Sequence, residues 1–165
     1  MSAFVTALGR CGIAWSDVGV TDVALPGIRL RAPGASEVPD AVRDAIAGII
    51  ALLDGERRDL REVVLDQSGL SEFDRAVYAA TRAVGPGATA GYGEIARAIG
   101  AGPDSARAVG AALGRNPFPI VVPCHRILAA DGTLHGFSAP GGIDTKRRML
   151  QIERAPGFTQ EALFA

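Results

Sequence analysis

One stretch of nine residues, 120–128, constrains the fold of this 165-residue chain more than any other. The apolar run that begins it predicts a buried strand, and Pro123 should end that strand because proline has no backbone N–H for a sheet ladder. A thiol, an imidazole and a guanidinium follow at once, before a second apolar run. The turn after Pro123 should therefore hold the Cys124 thiol at the rim of a packed core. In order, the stretch reads Ile120, Val121, Val122, Pro123, Cys124, His125, Arg126, Ile127 and Leu128.

Cys124 and the residue after it form a candidate nucleophilic centre. A free thiol has a pKa of about 8.5, so a base must take its proton at neutral pH. His125 can do so, and because adjacent side chains on a tight turn can point apart, a contact through one water is favoured over a direct bond. Glu153, three residues after Leu150, falls on the inward face of a predicted last helix, where a carboxylate can orient an imidazole. The other interpretation of Glu153 is an ordinary surface residue near a helix end.

The first part of the chain, 1–66, is predicted to form a small α/β domain that carries no catalytic chemistry. Short apolar segments between residues 12 and 25, separated by turn residues, indicate the strands of a hairpin or meander. Apolar residues at helical spacing predict a helix over 38–53. Cys11 is expected to pack as a small hydrophobe, since no metal-ligating partner stands at a suitable spacing.

Three helices are predicted next, beginning with one that Ser71 caps. Two short helices over 92–99 and 106–113 follow, joined by a turn that contains glycine and proline. Asp104 or Ser105 is expected to cap the second of these two. Two short helices joined in this way form a helix-turn-helix.

The end of the chain is predicted to combine a hairpin with a last helix. An Asp-Gly turn at residues 131–132 should join strands over 127–129 and 134–137. The last helix is expected over 144–154. Together with the helix-turn-helix, these elements make up a second predicted domain, 67–165.

The second helix of the predicted helix-turn-helix has an unusual outer face, made of small residues and one arginine. Each glycine in a helix costs roughly 1 kcal/mol relative to alanine, so this face should have a reason to be small. Two explanations fit equally well on composition: another macromolecule approaches closely while the arginine reaches into a groove, or another part of the same protein packs there. The face is formed by Arg107, Gly110, Ala111 and Gly114.

Charge and hydropathy exclude some classes of protein and favour others only slightly. The chain carries a net charge of −1, with nine Arg against twelve Asp or Glu in residues 1–84 and eight Lys or Arg against six Asp or Glu in 85–165. The surplus of +2 in the second half supports nucleic-acid binding weakly. Nothing resembles a membrane span or a signal peptide, so we expect an intracellular protein without a membrane partner.

The motif around Cys124 resembles the active-site segment of the O6-alkylguanine-DNA alkyltransferases, also called methylated-DNA–protein-cysteine methyltransferases. Further motifs in the family's order extend the resemblance over roughly the C-terminal half of the chain, a coincidence that chance would not produce. These motifs are Tyr92-Gly93-Glu94-Ile95-Ala96, Ala106-Arg107-Ala108-Val109-Gly110, Asn116-Pro117, and the set Gly141, Gly142, Lys146, Leu150 and Glu153.

The resemblance implies an α/β (α+β) fold, with a ribonuclease-H-like N-terminal scaffold and a C-terminal helix-turn-helix domain of winged-helix type that holds the active site. It also implies a DNA-repair enzyme that moves an alkyl group from O6-alkylguanine, and from O4-alkylthymine, to Cys124. The product is a thioether, which has no electrophilic carbonyl for water to attack, so each molecule would react once. The target atom cannot be reached inside a duplex, so the nucleotide must be flipped out. No metal and no cofactor are expected.

The resemblance assigns a role to each residue of the reaction. Cys124 attacks the alkyl carbon, His125 with Glu153 takes the thiol proton, and Asn116 braces the turn by hydrogen bonds. The Tyr92 hydroxyl serves the departing guanine and its phosphate.

The partner implied by the family is double-stranded DNA with alkylated guanine, bound through the minor groove without sequence specificity by a protein that is a monomer off DNA. A bacterial cytosol is the expected location. The DNA-contacting residues would be Arg107, Tyr92, Ala106, Gly110, Ala111 and Arg115.

The base pocket is the part of the pattern where this chain departs from its relatives. The loop after Phe137 is longer than the common aromatic-Ser-Gly-Gly form, so Ser138 and Pro140 compete for the contact with the O6 atom. His135, just before it, is expected to have no role. The pocket lining implied by the resemblance is Pro119, Ile127, Ser138 and Pro140.

Two other classes of function remain as alternatives. A non-catalytic alkyltransferase-like protein would bind lesions and recruit other repair proteins, but such relatives replace the motif cysteine that Cys124 represents here. A Cys-His hydrolase would turn over, but its cysteine and histidine usually come together from distant positions, unlike Cys124 and His125.

Overall fold

The computed structural model describes residues 1–28, 37–134 and 141–159. Three strands come first and the helices follow, interrupted by two short strands, as the α+β prediction requires. The strands are β1 (Ser2–Thr6), β2 (Gly9–Trp15), β3 (Val20–Ala24), β4 (Ala90–Gly91) and β5 (Ile127–Leu128). The helices are α1 (Asp40–Leu53), α2 (Glu72–Arg82), α3 (Tyr92–Ala98), α4 (Ala106–Gly114) and α5 (Gly142–Ile152), with two short 3₁₀ segments at Pro103–Ser105 and Cys124–Arg126.

The N-terminal sheet is an antiparallel meander of order β1-β2-β3. Within the range 12–25, where a hairpin or meander is predicted, it contains the β2-β3 hairpin. Its first strand was not predicted, because the alternation of Phe4 and Thr6 inward with the 73% exposed Val5 outward spans too few residues to stand out. A two-residue turn joins β1 to β2, and Gly9 closes it at a φ of +120°, a conformation that glycine adopts without strain.

Helix α1 covers one side of this sheet with the apolar face that its spacing predicts. Val42, Ile49 and Leu53 are buried, while Arg43 and Asp44 face outward. The helix begins after Pro39, whose side chain makes no cap hydrogen bond, so its stability comes from the buried face.

The helical cluster of the second half follows the prediction closely. The Ser71 hydroxyl accepts the backbone N–H of Asp74 at 3.1 Å, which confirms the cap of α2. Helices α3 and α4 contact each other as a helix-turn-helix should. The predicted cap of α4 is wrong: the 3₁₀ turn Pro103–Ser105 leads directly into the helix, and Ser105 makes no side-chain cap hydrogen bond.

The apolar run 120–122 is buried as predicted, but it is not a strand. Ile120 takes a φ of 74°, in the left-handed region, and the Val122 N–H bonds the Phe118 carbonyl at 2.8 Å. The Cys124 N–H in turn bonds the Val122 carbonyl at 2.8 Å. Because these backbone groups pair with carbonyls of the same segment, they do not require a neighbouring strand. Burial of the apolar side chains keeps these consecutive turns in the core.

The predicted hairpin after residue 126 forms only in part. The Ala129 N–H bonds the Thr133 carbonyl at 3.1 Å, as an Asp-Gly turn should arrange. However, β5 pairs in parallel with β4, an arrangement that no hairpin pattern predicts. Residues 135–137 of the predicted second strand lie outside the described residues.

One apolar core runs through both halves of the described chain. It joins residues of the N-terminal sheet and α1 to those of α2, α3 and α4. The backbone also crosses: the Val23 N–H in β3 bonds the Pro117 carbonyl at 2.9 Å, just before the turns that carry the thiol. Within the described residues, no helix is long and apolar enough to cross a membrane.

Candidate active site

The thiol of Cys124 stands at the end of a braced turn. The Asn116 amide donates to the Val122 carbonyl at 3.0 Å, and its side-chain oxygen accepts the Phe118 N–H at 2.9 Å. One side chain therefore ties together both ends of the turn series that precedes the thiol. Cys124 keeps partial exposure, while Val122 and Pro123 before it are buried.

His125 is buried behind the thiol and points one ring nitrogen at a carboxylate. Its Nε2 lies 2.8 Å from Oε1 of Glu153, and both side chains are almost fully inaccessible. The inward position expected for Glu153 is confirmed, and the surface alternative is wrong. Among the residues that the structure describes, Nδ1 of His125 has no hydrogen-bond partner, so this nitrogen remains to accept a proton.

Arg126 completes the buried cluster, and sequence reasoning did not single it out. Its Nε and Nη2 donate to the two carboxylate oxygens of Glu153 at 2.9 and 2.7 Å, and its Nη1 donates to the Val84 carbonyl at 2.7 Å. Such a bidentate pair fixes the carboxylate in one plane. The only available signal was an arginine inside an otherwise apolar segment, which predicts burial with a partner but does not identify that partner.

These contacts set the proton affinities of the cluster. Burial raises the pKa of Glu153, but hydrogen bonds and charge from His125 and Arg126 outweigh it and lower that pKa to about 2. Burial lowers the pKa of His125, and the nearby cations of Arg126 and Lys146 act in the same direction against the pull of Glu153. Near neutral pH the carboxylate is therefore charged and the imidazole neutral, the state in which a base can act.

Burial also raises the pKa of the Cys124 thiol, so the thiol needs this base. Asn116, Lys146 and two backbone N–H groups lower the pKa but do not outweigh burial. The thiol is thus protonated at rest and becomes a nucleophile when its proton moves to a neighbour.

Lys146 is the only lysine of the chain, and it is 1% exposed. Its Nζ donates to the Ile127 carbonyl at 2.7 Å and lies 6.0 Å from the centre of the Tyr92 ring. Sixteen of the seventeen basic residues are arginine, so a lysine at this position is a sequence feature that could have indicated a special environment. A compact ammonium group fits a narrow buried site better than a planar guanidinium does.

A groove of 1130 Å³ opens between α3 and α4, and the ring of Tyr92, one of its lining residues, lies 6.0 Å from the Nζ of Lys146 in the cluster. Four of the six predicted DNA-contacting residues line it: Tyr92, Ala106, Arg107 and Gly110. Ala111 is exposed on α4 but is not part of the lining. Arg115 lies elsewhere, paired with Asp74 through Nε at 3.1 Å and Nη2 at 2.7 Å, so this guanidinium is already engaged.

The predicted base pocket is described only in part. Pro119 is half-buried, and Ile127 is fully buried with its carbonyl bonded to Lys146. Ser138 and Pro140 lie outside the described residues. In the described ranges, no group of three or more His, Cys, Asp or Glu residues is placed to hold a metal ion.

Comparison with known sequences places residues 72–155 in the DNA-binding domain of 6-O-methylguanine DNA methyltransferase. A methylated-DNA–protein-cysteine methyltransferase from Methanothermobacter thermautotrophicus is 37% identical over 86% of this chain and 78% of that protein. The protein of the same name from Mycolicibacterium paratuberculosis is 46% identical over 79% of this chain and 76% of its own length.

Solved structures agree along the whole chain. The crystal structure of Mycobacterium tuberculosis O6-methylguanine methyltransferase superposes with a TM-score of 0.73 at 32% identity, over 99% of this chain and 97% of that one. A crystal structure of Mycobacterium tuberculosis OGT in complex with DNA gives a TM-score of 0.68 at the same identity, over 99% of this chain and 98% of the other.

Proposed function

The chain belongs to the methylated-DNA–protein-cysteine methyltransferase family, and we propose on this premise that it repairs DNA by moving an alkyl group from O6-alkylguanine to Cys124. O4-alkylthymine, with an alkyl group on an equivalent oxygen, is the second substrate. The observation that carries the proposal is a partly exposed thiol beside a buried His125–Glu153–Arg126 cluster, in a chain whose helix-turn-helix forms a groove lined by Tyr92 and Arg107.

The first step is removal of the thiol proton. Neutral His125 donates its Nε2 proton to Glu153 in a hydrogen bond, which leaves the Nδ1 lone pair to accept the Cys124 proton, directly or through one water. The imidazolium that forms lies against a carboxylate whose charge Arg126 holds in place. A base with a fixed tautomer and a stabilised cation is the arrangement that nucleophilic catalysis requires.

The second step is displacement at a saturated carbon. The Cys124 sulfur forms a bond to the alkyl carbon, the carbon–oxygen bond breaks, and guanine leaves with the electron pair. Burial raises the pKa of Tyr92, so its hydroxyl holds a proton that it can share with the departing base. The thioether product is not hydrolysed, so each protein molecule accepts one alkyl group.

DNA binding uses the groove between α3 and α4. Its small residues Gly110 and Ala106 let a duplex approach closely, and Arg107 extends from the same face. A side chain inserted from the minor groove can occupy the place of a flipped nucleotide, which gives binding without sequence specificity. In this proposal the protein is cytoplasmic and is a monomer when it is not bound to DNA. The substitution Arg107→Ala should slow repair of a duplex substrate more than it slows the reaction with the free alkylated base.

Each of the two predicted domains has its own role in this proposal. Residues 1–66 act as a scaffold, and residues 67–165 bind DNA and carry out the transfer. The shared core and the bond from Val23 to Pro117 support a scaffold that presses on the turn before the thiol.

The experiment is mass spectrometry of the intact protein after incubation with an O6-methylguanine duplex. The expected result is a gain of one methyl group, mapped to Cys124, followed by no further reaction. A protein that binds lesions without chemistry gains no mass, and a hydrolase turns over repeatedly. Either of these outcomes contradicts the proposed function.

A further inference from the structure

The groove beside Tyr92 carries a cation on each of its two helical walls. Arg107 projects from α4 and Arg97 from α3, and both are exposed and line the same cavity. We propose that Arg97 binds a backbone phosphate of the duplex, a contact separate from the insertion of Arg107. The inference rests on the proposed function, because it takes DNA as the occupant of the groove.

The guanidinium of Arg97 is available for such a contact. Within the described ranges, neither Arg97 nor Arg107 takes part in an ion pair or a side-chain hydrogen bond, in contrast to most arginines of the second half. Four other arginines of that half are engaged: Arg115 pairs with Asp74, Arg126 with Glu153 and Arg147 with Asp144, and Arg148 donates to the Ala7 carbonyl. The two arginines that line the groove are thus left to meet an anion from outside.

The acidic residue nearest to Arg97 does not neutralise it. Glu94 precedes Arg97 by three positions on α3, a spacing at which side chains can pair. Its Oε1 instead accepts the Gly91 N–H at 3.1 Å, where it caps the helix, and no ion pair with Arg97 forms. Among the described residues that line the groove there are two arginines and one acid, so the charge that these residues present to a ligand is positive.

The backbone beside each arginine is open to close approach. Gly93 lies one turn before Arg97 on the same face of α3, and a Cβ placed on it would meet no described residue within 4 Å. On α4, Gly110 lies three positions after Arg107, and among the described side chains a Cβ placed on it would meet the Tyr92 ring alone, at 3.8 Å. Each wall therefore pairs a small residue with an unengaged arginine, so a bulky polyanion can reach both.

A phosphate contact has properties that distinguish it from a contact with a base. It carries no sequence information, and it releases counterions from DNA, so it adds to the salt dependence of affinity. An Arg97 contact should therefore act equally on intact and damaged duplexes. It should leave the alkyl-transfer chemistry of Cys124 unchanged.

The test measures affinity for an unmodified and an O6-methylguanine duplex over a series of salt concentrations. For Arg97→Gln the slope of log affinity against log salt should fall by about 1, equally on both duplexes, as for one lost phosphate contact. Arg97→Lys should keep the wild-type slope. The matched control is Arg10→Gln, which removes an exposed charge from β2 and should leave the slope unchanged.

Three results would overturn the inference: a slope for Arg97→Gln equal to that of the Arg10 control, a loss restricted to the damaged duplex, or slower transfer from the free alkylated base. The proposed function is tested separately by wild-type alkylation of Cys124. Wild-type protein that binds DNA but gains no alkyl group, while Arg97→Gln still lowers the slope, would refute the repair function and leave the phosphate contact standing.

Discussion

The two cysteines of this protein occupy opposite kinds of environment. Cys11 lies in β2, is 1% exposed, and has the hydroxyl of Thr6 at 3.5 Å as its polar neighbour. Cys124 ends a turn, keeps partial exposure, and stands next to His125 with Lys146 near by. Burial raises the pKa of both thiols.

A lowered thiol pKa does not distinguish Cys124 from Cys11, because burial raises the pKa of both. Both thiols are protonated at rest, so the difference lies in access and in the presence of a base with a free nitrogen. Cys11 has neither, and its sulfur serves packing. The reactive cysteine is defined by its neighbours and not by its own acidity.

Replacement of each cysteine by serine should give the largest difference between the two sites. Cys124→Ser should abolish transfer, because an alcohol is far less acidic than a thiol and attacks a saturated carbon poorly, yet it should leave affinity for DNA intact. Cys11→Ser should transfer at the wild-type rate. Intact mass after incubation with methylated duplex measures transfer, and a mobility shift measures affinity. Equal loss of both activities in Cys124→Ser would contradict the role of the sulfur.

Removal of the charge behind the base should produce the next largest effect. Glu153→Gln leaves a side chain of the same shape but takes away the anion that stabilises protonated His125, so the transfer rate should fall by about 10²–10⁴-fold. Arg126 loses its counter-charge as well, so the folded fraction must be measured by circular dichroism in parallel. Glu72→Gln, at the exposed start of α2, is the control. A folded Glu153→Gln protein that reacts at the wild-type rate would remove Glu153 from the mechanism.

The pH dependence sharpens the same contrast. Burial lowers the pKa of His125 below its ordinary value of 6.5, so the imidazole is still mostly neutral at pH 6.5. Transfer should therefore persist at pH 6.5 and reach half of its maximal rate at a lower pH. Single-turnover rates with the free alkylated base give this profile. A midpoint above 6.5 would mean that a group other than His125 accepts the proton.

Stability should respond to acid through Glu153. Its pKa is 4.5 when unperturbed and about 2 in the folded protein, so the charged carboxylate stabilises the fold fully above pH 4.5. That contribution is lost as the pH falls from 4.5 towards 2. Urea unfolding at several pH values should show this acid loss in the wild type and a smaller one in Glu153→Gln.

The smallest effect is expected at the packed cysteine. Cys11→Ala removes one buried heavy atom and should lower the free energy of unfolding by about 0.5–1.5 kcal/mol, with no change in transfer rate. The Thr6 hydroxyl keeps its bond to the Gly9 carbonyl, so no buried polar group is left unpaired. Urea denaturation measures the change. A change in transfer rate at full folding would mean that the two cysteine sites are coupled.

Local sequence pattern was sufficient to predict the helices and the faces that they bury. The Ser71 cap, the buried face of α1 and the two helices of the helix-turn-helix follow from capping chemistry and spacing. For Glu153 the spacing from Leu150 allowed an inward position, and the family resemblance was needed to prefer it over a surface position. These features depend on residues within a few turns of each other, where sequence and geometry are directly related.

Long-range pairing was beyond the reach of pattern. A buried apolar run such as 120–122 has the same appearance in a strand as in a series of turns, and only the packing around Ile120 selected the turns. The parallel pairing of β4 with β5 joins segments far apart in the chain. The anchor of Arg126 on Glu153 and the engagement of Arg115 by Asp74 likewise depend on which helices pack together.

Short motifs of adjacent residues were therefore enough to identify the family and to predict the reactive sulfur and a base beside it. The contact of His125 Nε2 with Glu153, the hold of Arg126 on that carboxylate, and the two arginines left without an ion pair among the described residues of the groove became visible only in the folded chain. Each of these side chains has several possible hydrogen-bond or ion-pair partners along the chain. The partner that it contacts depends on which distant segments the folded core brings together.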